Sequence, residues 1–130
     1  MFISLRDNAV SGLTDEMKEA LKGLGLETDW SNKLRWSYYA VILPGETVIE
    51  KASKDALTIT GGFRDNRSVY TITSKGYDIG NEATITMDGA AYPKNGRGFN
   101  IVVYNNAISK VIDSVRFDTG VTNVTVTAIR

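Results

Sequence analysis

The residues with the most obvious chemical potential are Gly96-Arg97-Gly98, directly ahead of the apolar run Phe99–Tyr104. Two glycines around a cation invite a phosphate-binding reading. A dinucleotide fingerprint, however, needs G-x-G-x-x-G between a strand and a helix, and a P-loop needs Gly-Lys-Ser/Thr opening a helix. Here the third glycine is missing and a strand follows, so the nucleotide reading fails. Gly96 and Gly98 are expected instead to permit a tight turn or a bulge before a central strand. Asp113 and Asp118 flank a further strand without a third ligand at metal spacing, so neither a metal nor another cofactor is expected. The chain has no Cys and no His. That removes disulfides, thiolate chemistry, the commonest general base and the commonest zinc ligand. An enzyme would be left with Asp, Glu, Lys, Tyr or Ser. No catalytic constellation of these is visible, and the chain reads as a non-enzyme. The triplets Asn66-Arg67-Ser68 and Asn123-Val124-Thr125 match the glycosylation pattern and are read as chance matches.

The elements that must position these residues follow from pattern and composition. At 130 residues the chain is expected to form one domain that buries about two-thirds of its unfolded surface. Fifteen acids balance fifteen bases; this is not the basic footprint of a nucleic-acid binder. The apolar run Ala40–Leu43 is far too short to cross a bilayer, and the first ten residues lack the basic start and apolar core of a secretory signal. Phe2–Leu5 reads as a strand. A helix is expected after it, with Thr14 as N-cap, Asp15 and Glu16 on the positive end of the dipole, Met17, Ala20, Leu21 and Leu24 in one stripe, and Gly23 or Gly25 closing it. The aromatic and β-branched run Leu34–Leu43 reads as a strand stopped by Pro44-Gly45. Further strands are expected at Thr47–Glu50, Ala56–Thr60, Ser68–Thr73, Ala83–Met87, Phe99–Tyr104, Lys110–Phe117 and Val121–Ile129. Phe99–Phe117 should form a hairpin around Asn105-Asn106. Residues 45–66 are the best linker, and no low-complexity tract or internal repeat is apparent. The fold class is α+β: mainly antiparallel β-sheets, sandwich-like, with one short packed helix.

The segment Gly96–Asp118, "GRGFNIVVYNNAISKVIDSVRFD", resembles the interleukin-like EMT inducer domain, also called the GG or PANDER-like domain. Gly96, Arg97, Gly98, Asn100, Asp113, Ser114, Phe117 and Asp118 fit that family's pattern without a gap. Upstream, "VYTITSKGYDIGNEATITMDG" resembles its opening strand pair. "FISLRDNAVSGLTDEMKEALKGLG" resembles the family's later strand, acidic turn and helix through Asp7, Leu13, Asp15, Glu16 and Gly25. "LRWSYYAVIL" resembles its final arginine-and-aromatic strand through Arg35. The resemblance therefore implies a permuted domain. Residues 2–43 match the family's C-terminal half, 44–68 act as linker, 69–119 match its N-terminal half, and 120–130 add a strand. Either the chain is a circular permutant closed within one molecule, or each half completes its partner on another copy.

The resemblance also implies a site and a setting. In a sugar-binding member of the family, an acid before the helix and an arginine opening the last strand hold carbohydrate. The matching residues here are Asp7 and Arg35, with Trp36 offering an aromatic face where the family has an acid. The competing reading is structural: Asp7 caps its turn and Arg35 pairs with it. Animal relatives are secreted and cysteine-bearing, whereas phage relatives lie in tail-fibre and connector proteins. The lack of Cys fits the phage group. The expectation is a non-catalytic structural and assembly domain of a phage virion. It would contact other virion proteins or its own copies, without nucleic acid or membrane, and carbohydrate binding is the alternative.

Overall fold

The computed structural model describes residues 1–8, 10–63, 67–92, 97–105, 110–118 and 125–129, with backbone alone for 113, 115–118 and 125–129. The fold is built outward from β1 (Phe2–Asp7), whose side chains Phe2, Ile3, Ser4 and Leu5 are buried on both faces. One edge of β1 pairs antiparallel with β8 (Gly98–Asn105) from Phe2↔Val102 to Arg6↔Gly98. The opposite edge is divided. Phe2–Ser4 pair antiparallel with Val41–Tyr39 of β2 (Ser37–Val41), and Arg6 and Asp7 pair in parallel with Lys75 and Gly76 of β5 (Ser68–Gly76).

From this fork the remaining strands extend outward. β3 (Ile49–Ser53) pairs with β2, while β9 (Lys110–Asp118) and β10 (Thr125–Ile129) follow β8. β5 carries β4 (Leu57–Phe63) on one side and β6 (Glu82–Met87) on the other, with the two-residue β7 (Ala90–Ala91) beyond. The ten described strands form one mixed sheet, antiparallel except at β1·β5. The protein is thus mostly β with a single described helix, in the expected α+β class, but as one continuous sheet. The segment read as linker holds β3 and β4, which complete the two sides of the fork. β8 and β9 are antiparallel neighbours, as a hairpin requires, with a bulge between Val103 and Tyr104.

A strand cannot share one edge with two partners without a gap in the hydrogen-bond ladder, and a buried unpaired backbone group is costly. Three fully buried serines fill that gap. Ser74 Oγ donates to the Leu5 carbonyl and accepts from the Tyr38 amide at 2.9 Å. Ser37 Oγ accepts from the Gly76 amide at 3.1 Å, and Ser4 Oγ donates to the Thr73 carbonyl at 2.6 Å.

Alternation in β1 and β2 sends side chains into two cores. Phe2, Tyr39, Val41 and Val102 meet Leu57, Phe63, Tyr70, Ile72, Ile85 and Met87 from the β4–β7 wing. Rings pack edge-on or tilted there: Phe2 lies 5.3 Å from Phe63 and 5.0 Å from Tyr70. On the other face, Ile3, Leu5, Tyr38, Ala40 and Phe99 meet Leu26 and Trp30.

α1 (Asp15–Gly23) lies beside this second core. Thr14 Oγ1 accepts from the Met17 amide, and Asp15 and Glu16 occupy the first turn. At the far end Gly25, at φ +88°, reverses the chain: its amide reaches Lys22 and that of Leu26 reaches Leu21. This is the Schellman arrangement, and its apolar contact is supplied by Leu26 and Leu21.

Candidate functional site

Asp7 ends β1 in the left-handed region at φ +65°, and Arg35 precedes β2 at φ +62°. Gly76 brings them to one corner. It pairs with Asp7, and a Cβ on it would lie 1.9 Å from the Arg35 carbonyl oxygen, so only glycine fits between the two strands. The Arg35 side chain is held by residues from the 3₁₀ turn Tyr77–Ile79, which follows Gly76. Its Nη1 lies 3.8 Å from Asp78 Oδ1, and its guanidinium stacks 4.3 Å from the centre of the Tyr77 ring. The ion pair of Arg35 is thus with Asp78, and Tyr77 supplies the aromatic plane beside it. Trp36 belongs to another cluster, with Lys33 Nζ 5.1 Å and Lys54 Nζ 5.9 Å from its ring. On the inner side of the corner, Arg6 Nε donates to the Asn81 carbonyl at 2.8 Å.

The sequence reading placed Asp7 and Arg35 but missed Tyr77 and Asp78. The signal available was the adjacent "GYD", an aromatic and an acid directly after the glycine that closes the corner. Chemically the corner presents an exposed arginine flanked by a carboxylate and a phenol, a set suited to hydroxyl or carboxylate recognition.

The Gly-Arg-Gly motif divides differently. Gly96 lies outside the described residues. Arg97 is half-buried, and Gly98 is buried at φ +96° where it opens β8 opposite Arg6. A side chain at that φ is strained, which accounts for the second glycine. Asn100 is buried and its side-chain amide lies 3.4 Å from the Gly98 carbonyl. Backbone register sets Asp113 opposite Val103 and Phe117 opposite Phe99. The side chains of Asp113, Phe117 and Asp118 lie outside the described residues.

A second feature is an apolar groove of about 240 Å³ between α1 and the sheet, lined by Ile3, Leu13, Met17, Leu21, Leu24 and Phe99. The helical stripe was expected to be packed against the sheet. No residue of α1 is fully buried, and Leu24 is 39% exposed. The stripe leans on the sheet at Leu21 and leaves the rest as an open apolar wall.

The loop beneath α1 is anchored by Glu50. Its carboxylate accepts from the Glu27 amide, from Thr28 Oγ1 at 2.7 Å and from the Tyr38 hydroxyl at 2.7 Å. Burial, followed by this bond to Glu50, pushes the Tyr38 phenol far above its usual range. The arrangement ties β3, β2 and the loop together.

Among the described residues no group of three His, Cys, Asp or Glu could hold a metal ion, and no helix is long and apolar enough to cross a membrane. No protein-family model, curated protein or solved structure matches the chain.

Proposed function

We propose that this chain is a non-catalytic structural and assembly domain of a phage particle, of tail-fibre or connector type. It would be built as a circularly permuted interleukin-like EMT inducer domain and would contact other virion proteins or its own copies. The observation that carries the assembly reading is the groove beside α1. A wall formed by Met17, Leu21 and Leu24 against Ile3 and Phe99 offers apolar contact area without groups for chemistry. The permuted order is supported by β1, which comes from the segment resembling the family's end and is paired to β8, from the segment resembling its beginning. The phage setting rests on the sequence resemblance and on the absence of cysteine.

The test is incorporation into particles. Mass spectrometry of purified virions from the host of origin should detect the chain at stoichiometric level. Met17→Glu with Leu24→Glu should lower incorporation at least tenfold while leaving the circular dichroism spectrum unchanged. Absence of the chain from purified particles overturns the reading.

A carbohydrate-binding module is the second reading, favoured by the corner where Arg35 is held between Asp78 and Tyr77 close to Asp7. A glycan array should then give signals that vanish in Arg35→Ala and in Tyr77→Ala. A blank array at high protein concentration removes it.

A further inference from the structure

The triplet Thr-Ile-Thr occurs three times, at 58–60, 71–73 and 84–86, and the sheet brings the three copies into register. Thr58 stands opposite Thr73 and Thr73 opposite Thr84; Thr60 stands opposite Thr71 and Thr71 opposite Thr86. Two rows of three threonines therefore cross the outer face of the β4–β5–β6 wing, while Ile59, Ile72 and Ile85 form the matching row on the core side. Hydroxyls along the rows approach to 3.4 Å at Thr58/Thr73 and 3.0 Å at Thr60/Thr71. The rows stop at β4, which pairs only with β5 among the described residues.

That outer edge is unguarded. Leu57–Phe63, "LTITGGF", is seven residues long and holds neither a charge nor a proline. In an antiparallel strand every second residue directs its N–H and C=O away from the existing neighbour, so β4 displays a row of donors and acceptors that have no partner strand among the described residues. The other ends of the sheet are shorter or guarded. β3 carries Glu50 and Lys51 and its Glu50 is tied into the loop below, β7 has two residues, and β10 has five. Edge strands of soluble proteins normally carry a charge, a proline or a cover, and β4 departs from that rule.

We infer that β4 pairs with β4 of a second copy of this chain, antiparallel about a two-fold axis, so that the two wings join into one sheet. This deepens the assembly reading by naming its partner. The strand is self-complementary in the required way. With the axis at Ile59, Thr58 of one copy stands opposite Thr60 of the other. Each threonine row then runs through six strands, and Ile59 meets its own counterpart on the core side. None of the positions that then pair, Leu57 to Gly61, carries a charge. Strand pairing of this length buries less than the roughly 800 Å² per partner of a stable independent complex. The contact is therefore weak in isolation and becomes firm where copies are held together in an assembly.

Sedimentation velocity on the whole chain from about 10 µM to about 1 mM should show a reversible monomer–dimer equilibrium, the range in which weak contacts are populated. Thr58→Lys with Thr60→Lys sets lysine against lysine across the axis, and Thr58→Glu with Thr60→Glu sets glutamate against glutamate. Each double variant should dimerise at least tenfold more weakly while keeping the wild-type thermal unfolding curve at low concentration. An equimolar mixture of the two should regain dimer, because every facing pair is then of opposite charge. A wild-type chain that stays monomeric to the top of the range, a dimer indifferent to both double variants, or a mixture that regains nothing each overturns the pairing. The two readings fail separately. A monomer found in purified particles overturns the edge pairing alone, and a β4-mediated dimer absent from particles overturns the particle setting alone.

Discussion

Gly76 shows how much of this architecture depends on single atoms. The two partners of one β1 edge diverge there, and the obstacle to a methyl group is the Arg35 main-chain oxygen, which cannot swing aside as a side-chain tip would. Gly76→Ala should therefore cost about 3 kcal/mol or more, at the upper end of single-site effects, read as a lower urea midpoint at unchanged slope. Tyr38 makes a different prediction. Its raised phenol means that the fold favours the protonated form, so this contribution is complete below the ordinary tyrosine value of about 10 and is lost as pH climbs above it. Stability should hold through neutrality and fall in alkali. Tyr38→Phe should remove part of that fall, the remainder belonging to Tyr70, whose phenol is also raised by burial. At neutral pH the same variant should lose about 1–3 kcal/mol, since Glu50 forfeits a hydrogen bond to its carboxylate.

Elements differ in how far their own sequence determines them. α1 is written locally: cap, first-turn acids and closing glycine all lie within a dozen positions and all appear where the pattern puts them. Thr14→Ala should accordingly cost about 1 kcal/mol, measurable as a shift of the denaturation midpoint. Strands were legible for the same reason, since alternation in Tyr70–Ser74 or Ala83–Met87 is a local signal. Partner choice was not. The division of one β1 edge between β2 and β5, and the parallel contact it creates, depends on buried Ser4, Ser37 and Ser74, which in the sequence look like ordinary polar positions. The three Thr-Ile-Thr triplets are too short to stand out as a repeat in the sequence, and only register shows that they align. At the corner, Asp7 and Arg35 came from family resemblance. The neighbours of Arg35, Tyr77 and Asp78, arrive from a turn far along the chain, and the local "GYD" does not say which strand end it will meet.

At the scale of the whole molecule β1 acts as the bridge between two portions of the later chain. β5, β6 and β7 form one piece and β8, β9 and β10 another, and in the sheet order only β1 stands between them. Residues 67–130 alone would leave Ile72, Ile85 and Val102 without the Phe2 side chain that joins them in one core. Residues 1–66 alone would hold β1, β2 and β3 with the β8 edge open and β4 without its partner β5. Neither piece closes a core, and open edges with exposed apolar faces do not support a stable fold. A chain severed between 66 and 67 should therefore give two fragments that each lack a cooperative thermal transition. Mixed or co-expressed, they should regain one, together with slow amide exchange in Phe2–Leu5 and Phe99–Val102. Cooperative unfolding by either fragment in isolation would contradict the bridging role of β1, because that fragment would then possess an interior of its own.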